Sequence, residues 1–231
     1  MRKIFVLQDK DTQSDSISTW ARELATAFKH ETDSISADKN TSADDFAKHL
    51  EDEDASLLII ELTDKKHIQQ YLNLCRRLRV PYLFIRPQQA FRIDKISLPI
   101  TFLVEDKEKI PFASAFGRFC NSNITIYKPK DYGDKAQETI NQAQTLFDSF
   151  SLQYTIHQAN KGSYDVESEA AIAAVGDNVD MVIISASREY GLDDIIFGSK
   201  EKKILKYRYA PVLGFYFYLR FGEEVYCTVR I

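Results

Sequence analysis

The sequence alternates short runs of apolar and β-branched residues with longer amphipathic segments, and this alternation constrains the fold more than any other feature. Runs of the first kind predict strands and segments of the second kind predict helices. Their alternation is typical of an α/β protein with a parallel sheet. The predicted strands are 3–8, 33–37, 56–62, 81–86, 99–105, 123–128, 153–158, 179–186 and 211–218.

Three of the segments between these strands carry one apolar face at helical spacing behind a capping residue. The first begins at Asp15 or Ser16, the second follows Asp64 and the third follows Asp134. Large apolar residues on such faces are expected in the core. The three predicted buried faces are Ile17, Trp20, Ala21, Leu24, Ala25 and Phe28; Ile68, Tyr71, Leu72, Cys75 and Leu78; and Ala136, Ile140, Ala143, Phe147 and Phe150.

Comparison of the sequence with itself indicates an internal repeat. Residues 4–11 match 101–108 at a displacement of 97, residues 56–62 match 180–186 at 124, and residues 80–85 match 210–215 at 130. The displacement therefore grows by about 27 residues, the size of one strand-plus-helix unit. We expect two α/β domains, 1–95 and 96–231, with the first lacking one such unit and the boundary in the connection 86–99.

The end of the chain predicts an extension of the second domain. A turn at Gly222-Glu223 separates two runs of aromatic and β-branched residues, which is typical of a hairpin. An added edge strand of this kind either covers a sheet or pairs with another chain.

Charge and composition limit the partners and the compartment. The net charge of -4 argues against a general attraction to nucleic acid or to an anionic membrane. The apolar run Ile4–Leu7 is too short for a signal peptide or a membrane span, so we expect a cytoplasmic protein. The three cysteines and four histidines are dispersed without a metal-ligand or nucleophile motif, so we expect neither a metal site nor a catalytic site.

The segment 185–200 is the strongest candidate for a binding loop. It follows a predicted strand and ends in Gly198-Ser199 before a predicted helix, where free backbone N–H groups can bind an anion. Gly198 allows close approach of the backbone, and Ser199 is a good helix cap. The segment contains neither of the two common glycine-rich phosphate motifs, G-x-x-x-x-G-K-[ST] and G-x-G-x-x-G.

Residues 180–215 resemble the C-terminal signature of the universal stress proteins. Gly191-Leu192, Gly198-Ser199 and Ala210-Pro211-Val212 lie in register with that signature. The resemblance implies two Rossmann-like (adenine nucleotide alpha hydrolase-like) parallel-sheet units in tandem, the first one shortened. It also implies pairing through the last strands and, in some members, ATP binding.

The resemblance assigns nucleotide-binding residues but also shows departures. The family's carboxylate at the end of the first strand corresponds to Glu105 by alignment with the family and to Asp106 by the internal repeat. Ser185 and Arg188 stand where nucleotide-binding members have glycines, whereas Gly198 and Ser199 remain. A Cβ or a long side chain at those positions restricts the approach of a triphosphate. The first half contains no glycine before Gly117, so it has no glycine-dependent phosphate loop.

These observations predict a universal-stress-type regulatory or interaction protein without catalysis, with an eroded nucleotide site and no cofactor. One alternative is a protein that binds ATP or another adenine nucleotide through the 185–200 loop, and a second is slow ATP hydrolysis in the same place. The expected contacts are intramolecular pairing of the two halves, a homodimer through the C-terminal strands at 216–231, and a protein partner that the sequence does not identify.

Overall fold

The computed structural model describes residues 1–8, 14–38, 40–131, 133–185, 200–206 and 211–215, without the side chains of residues 104, 105, 133, 200, 201 and 215. The fold is α/β, as the alternation predicts. The described residues form two compact units, one of residues 1–91 with 200–206 and 211–215, the other of residues 92–185. The domain boundaries 1–95 and 96–231 stay a prediction.

The described strands are β1 (Lys3–Gln8), β2 (Glu31–Ser36), β3 (Ala55–Glu61), β4 (Tyr82–Ile85), β5 (Lys95–Pro99), β6 (Asn123–Lys128), β7 (Tyr154–Gln158), β8 (Met181–Ser185) and β9 (Val212–Phe215). The described α-helices are α1 (Asp15–Phe28), α2 (Ala43–Asp52), α3 (Ile68–Cys75), α4 (Lys109–Cys120), α5 (Gly133–Ser149), α6 (Val166–Gly176) and α7 (Lys200–Lys206). Two short 3-10 helices cover Lys65–His67 and Val104–Glu108.

The sheet of the first unit has the strand order β2-β1-β3-β4-β9. Its first four strands are parallel, and β9 pairs antiparallel with β4. The central strands β3 and β4 are buried at consecutive residues, which is typical of parallel strands covered on both faces, whereas β2 is a polar, exposed strand. The predicted buried face of α1 is confirmed for five residues, with Phe28 half-buried, but the cap is Ser14 rather than Asp15 or Ser16.

The sheet of the second unit has the order β8-β5-β6-β7, with all strands parallel. Helix α4 places Ile110, Ala113 and Phe116 in the core. Helix α5 buries Ala136, Ile140, Ala143 and Phe147 as predicted, but Phe150 is 43% exposed because it lies beyond the end of the helix.

The two units share a strand register. Lys3 pairs with Glu31, and Lys95 pairs with Asn123, so β1 and β2 correspond to β5 and β6 at a displacement of 92. The left-handed residues Lys29 and Asn121, which end α1 and α4, are also 92 apart. Ile4 pairs with Leu57, and Ile96 pairs with Met181, so β3 corresponds to β8 at 124. The second unit therefore has 32 more residues here, which include β7 and one helix; that the units are copies stays a prediction.

One predicted strand was wrong. The pattern at 99–105 predicts a strand, but β5 ends at Pro99 and the chain turns into the 3-10 helix at Val104–Glu108. The cause is a local hydrogen bond, in which the backbone N–H of Thr101 donates to Asp106 Oδ2. Such side-chain bonds compete with strand formation. The displacement of 97 taken from residues 101–108 is five residues larger than the 92 that the strand register gives.

Candidate functional site

The candidate site of the second unit lies at the carboxyl ends of β5 and β8, the edge at which parallel α/β sheets bind ligands. Asp106 lies in the 3-10 helix after β5, and Ser185 is the last residue of β8. Ser185 Oγ donates a hydrogen bond to Asp106 Oδ1 at 2.7 Å. Asp106 is 0% and Ser185 is 2% exposed, so this bond closes the crevice between the two strands.

A buried ammonium group completes the site. Lys109, the first residue of α4, is 0% exposed. Its Nζ lies 2.6 Å from the carbonyl oxygen of Pro99, 3.0 Å from Asp106 Oδ1 and 3.4 Å from Glu167 Oε1. An ammonium group has three hydrogens to donate, so these three oxygens satisfy it.

Glu167 joins the site from the first turn of α6. Its Oε1 accepts the backbone N–H of Ser185 at 2.8 Å. We call the four residues Asp106, Lys109, Glu167 and Ser185 the Asp106 cluster. Two carboxylates and one ammonium thus lie inside the second unit, where a charge is tolerated when it is paired and hydrogen-bonded.

The charge state of Asp106 reflects these contacts. Burial by itself raises the pKa of the Asp106 carboxyl, but the Lys109 ammonium and the hydrogen bonds from Ser185 Oγ and the Thr101 N–H outweigh burial. The pKa therefore lies below its ordinary value, and Asp106 is ionised. Both of its oxygens accept hydrogen bonds from within the unit.

The structure brings together two of the six predicted site residues, Asp106 and Ser185. The side chain of Glu105 and the residues Arg188, Gly198 and Ser199 lie outside the described part of the chain. The assignment of the six as nucleotide ligands stays a prediction. In this structure Asp106 points into the core and bonds to Lys109 and Ser185, so a ligand would have to displace an internal partner to reach it.

The sequence reasoning missed Lys109 and Glu167. Lys109 shares its face of α4 with Ala113 and Phe116, and Glu167 shares its face of α6 with Ala170 and Ala174. A charged residue on an apolar helix face is a signal of a buried ion pair, because Lys and Glu are almost never buried without a partner.

The first unit closes the equivalent crevice with the same two kinds of residue, but the serine and the carboxylate have exchanged positions. Ser14 Oγ, in front of α1, donates a hydrogen bond to Oε1 of Glu61, the last residue of β3. At the displacements of 92 and 124, Ser14 corresponds to Asp106 and Glu61 to Ser185. Glu61 is 7% exposed, and its Oε2 has no hydrogen-bond partner among the described residues. The position of Lys109 is taken by the buried Ile17, so the first unit has no cation at this position.

Two kinds of feature are absent from the described residues. No group of three or more His, Cys, Asp or Glu side chains there is arranged to hold a metal ion. No helix in the described ranges is both long enough and apolar enough to cross a membrane.

No family model and no curated protein matches the sequence. Solved structures do match. A universal stress protein from Archaeoglobus fulgidus superposes with a TM-score of 0.61 at 12% identity, over 93% of this chain and 86% of that one. A functionally unknown protein from Pseudomonas aeruginosa PAO1 superposes with a TM-score of 0.54 at 15% identity, over 92% of this chain and 81% of that one.

The chain has the fold of a universal stress protein. At this identity the likeness concerns the fold, and function depends on the site residues. On the universal stress protein fold, the Asp106 cluster of this chain fills the carboxyl edge between β5 and β8 with its own side chains.

Proposed function

We propose that this is a universal-stress-type regulatory or interaction protein of the cytoplasm, without catalysis, in which the nucleotide site of the second unit is eroded. One observation carries the proposal: the Lys109 ammonium lies 3.0 Å from Asp106 Oδ1, with both side chains 0% exposed. Asp106, one of the two carboxylates that the sequence offers for a nucleoside contact, is thus paired inside the protein.

The energetics of burial support this proposal. Separating a buried ion pair leaves each charge without compensation, which costs about 3–5 kcal/mol. A nucleoside hydroxyl that hydrogen-bonds to Asp106 would have to offset that cost, and a hydrogen bond to a charged group contributes about 1.5–3 kcal/mol. The internal ion pair is therefore more favourable than a hydrogen bond between Asp106 and a nucleoside hydroxyl.

We further propose that the two halves pair through their last strands. Supporting this is the antiparallel ladder between β4 and β9, in which Leu83 lies opposite Leu213. Self-comparison of the sequence matches these two leucines at a displacement of 130. Dimerisation through residues 216–231 concerns a segment outside the described residues and stays a prediction, as does the protein partner.

Thermal unfolding with and without Mg-ATP tests the proposal, with AMP and inorganic triphosphate as controls. A ligand at about 100 times its dissociation constant adds about 2.7 kcal/mol of stability. For a chain of this length that is a rise in Tm of at least about 5 °C. We expect no rise that is specific to Mg-ATP.

A rise with Mg-ATP but not with triphosphate would contradict the proposal and favour the alternative, an adenine-nucleotide-binding protein that uses the 185–200 loop. In that case a bulky replacement, Ser199→Phe, should abolish the rise. Release of phosphate that persists in a variant with both Glu105 and Asp106 replaced would exclude these two acids from catalysis.

A further inference from the structure

The second unit carries an exposed patch of one arginine and two phenylalanines, which we call the Arg118 patch. Arg118 and Phe119 lie in the last turn of α4, and Phe150 follows the end of α5. Phe119 is 37% and Phe150 is 43% exposed, and Arg118 is exposed as well. Because α4 and α5 lead into the amino ends of β6 and β7, the patch lies at the opposite edge of the sheet from the Asp106 cluster.

The guanidinium group of Arg118 lies over both rings. Its Cζ atom is 4.0 Å from the centroid of the Phe150 ring and 4.9 Å from that of the Phe119 ring. Both distances are within the roughly 6 Å over which cation–π attraction acts. The rings therefore restrict the guanidinium group, and less side-chain entropy is lost when it binds a partner.

A hydrogen-bonded turn fixes the position of Phe150. The backbone N–H groups of Phe150 and Leu152 both donate to the carbonyl oxygen of Phe147, at 3.2 and 2.9 Å. Ser151 between them has a left-handed φ of 53°. The side chain of Leu152 packs against Gly117, where an added Cβ would lie 2.9 Å from Leu152 Cδ1. The turn is thus anchored to the last turn of α4.

The first unit shows that the fold does not require this patch. At the displacement of 92 that relates α1 to α4, Thr26 and Ala27 stand in place of Arg118 and Phe119. The hydroxyl of Thr26 donates to a backbone carbonyl within α1. The end of this helix therefore packs without an arginine or an aromatic ring at these positions. Adjacent exposed apolar groups, unlike single ones, mark interaction sites.

The residue types of the patch indicate the chemistry of its partner. Arginine and aromatic residues are enriched at the centres of protein–protein interfaces. A guanidinium group binds a carboxylate through two parallel hydrogen bonds. Arg118 forms no ion pair with any described residue, and Asp148, two residues before Phe150, accepts the Tyr154 hydroxyl at 2.9 Å. The patch therefore matches a carboxylate that has apolar neighbours.

We propose that the Arg118 patch binds an acidic segment of a partner protein, in which an Asp or Glu side chain is flanked by aliphatic or aromatic residues. The carboxylate bonds to the Arg118 guanidinium group, and its apolar neighbours contact Phe119 and Phe150. This inference rests on the proposed function as an interaction protein, because it assigns the surface and the chemistry of the partner. It does not involve the Asp106 cluster.

Selection from a displayed library of random linear peptides on the full chain tests this. We expect the wild type to enrich peptides in which Asp or Glu adjoins aliphatic or aromatic residues. Arg118→Glu should weaken their binding by about tenfold or more and should enrich Lys or Arg in place of the acids. Arg22→Glu reverses the charge of an exposed arginine that lies 3.5 Å from Glu23, and as the matched control it should enrich the same peptides as the wild type.

Three results would overturn the proposal: no enrichment on the wild type, enriched peptides without acids, or the same peptides on the wild type and on Arg118→Glu. Light scattering provides a fourth, since a wild-type dimer that Arg118→Glu converts to a monomer would mean that a second copy of this chain occupies the patch. If the selection fails while Mg-ATP leaves the Tm unchanged, the patch is wrong and the proposed function stands. A rise in Tm specific to Mg-ATP contradicts the proposed function whatever the peptides show.

Discussion

At the scale of single residues, the buried ammonium of Lys109 organises the second unit. Lysine is almost never fully buried, because its desolvation is costly unless oxygen acceptors surround it. Here three oxygens do so, from Pro99, Asp106 and Glu167. The buried charges of the Asp106 cluster therefore depend on one another for compensation. A single substitution there should lower the free energy of unfolding by more than the loss of one contact at a solvent-exposed site.

Replacing Ser185 by alanine tests the bridge across the crevice. The change removes the hydroxyl that donates to Asp106, and bonds to charged groups contribute about 1.5–3 kcal/mol. We expect the free energy of unfolding in urea to fall by that amount. Ser149→Ala, at an exposed serine that bonds to a helix carbonyl, is the control and should change it by less than about 0.5 kcal/mol. Equal effects of the two changes would show that the bridge contributes no stability.

The acid dependence of stability tests the charge state of Asp106. Its pKa is lowered from 3.8 in the folded state, so the unfolded chain binds the proton more readily. The stabilisation is present above that value and is lost as the pH falls through the folded-state pKa. The groups that contact this carboxyl are Lys109 Nζ, Ser185 Oγ and the Thr101 N–H, and Glu167 contacts Lys109.

Accordingly, between about pH 4 and pH 2 the unfolding free energy of Asp106→Asn should fall less steeply than that of the wild type. Denaturant titrations at a series of pH values provide the slopes. If the unfolding free energies of the two proteins fall equally with pH, the pKa of Asp106 is the same in the folded and the unfolded chain.

The bridge in the first unit allows a matched test. Ser14→Ala removes the one hydrogen bond that the described structure gives to the buried Glu61 carboxyl, and an unsatisfied buried polar group costs about 1–3 kcal/mol. Ser14→Thr keeps the hydroxyl and should retain most of the stability. Urea titrations of both variants should separate them, and equal loss in the two would assign the effect to packing.

At the scale of elements, eight of the nine described strands coincide with predicted strands over their described residues. The exception, 99–105, has the apolar alternation of a strand, but Asp106 binds the Thr101 N–H and turns the chain. The spacing of apolar residues does not predict a hydrogen bond between a side chain and the backbone. The alignment of 4–11 with 101–108 differs by five residues from the displacement that the strand register gives.

The contact of β9 with β4 depends on a glycine. A Cβ added at Gly214 would lie 2.6 Å from Cε2 of the buried Tyr82 ring, so Gly214→Ala should destabilise the protein by about 1–3 kcal/mol through overpacking. At Gly176, in the last turn of α6, a Cβ would meet no atom within 4 Å. Gly176→Ala should therefore be neutral or stabilise slightly. Thermal unfolding compares the Tm of the two variants. A lower Tm for Gly176→Ala than for Gly214→Ala would contradict the described β4–β9 contact.

At the scale of the whole molecule, the fold class could be predicted from the alternation of strands and helices, and the resemblance to universal stress proteins in the second half agrees with the fold that the structure comparison shows. The closure of the site could not be predicted. It depends on Lys109, Glu167 and Ser185, which come from three elements far apart in the chain and meet only in the folded unit. The spacing of these residues in the sequence does not predict that they contact each other.

The central claim is that Asp106 is committed to Lys109 rather than to a ligand, and a double-mutant cycle tests it most directly. The unfolding free energies of the wild type, Asp106→Asn, Lys109→Met and the double variant are measured in urea. Each single change should cost about 3–5 kcal/mol because it leaves a buried charge without its partner. The double variant should cost less than the two together, with a coupling energy of about 1–3 kcal/mol. Additive losses would contradict the account, because they would mean that the two side chains are not paired and that the Asp106 carboxylate is available to bind a ligand.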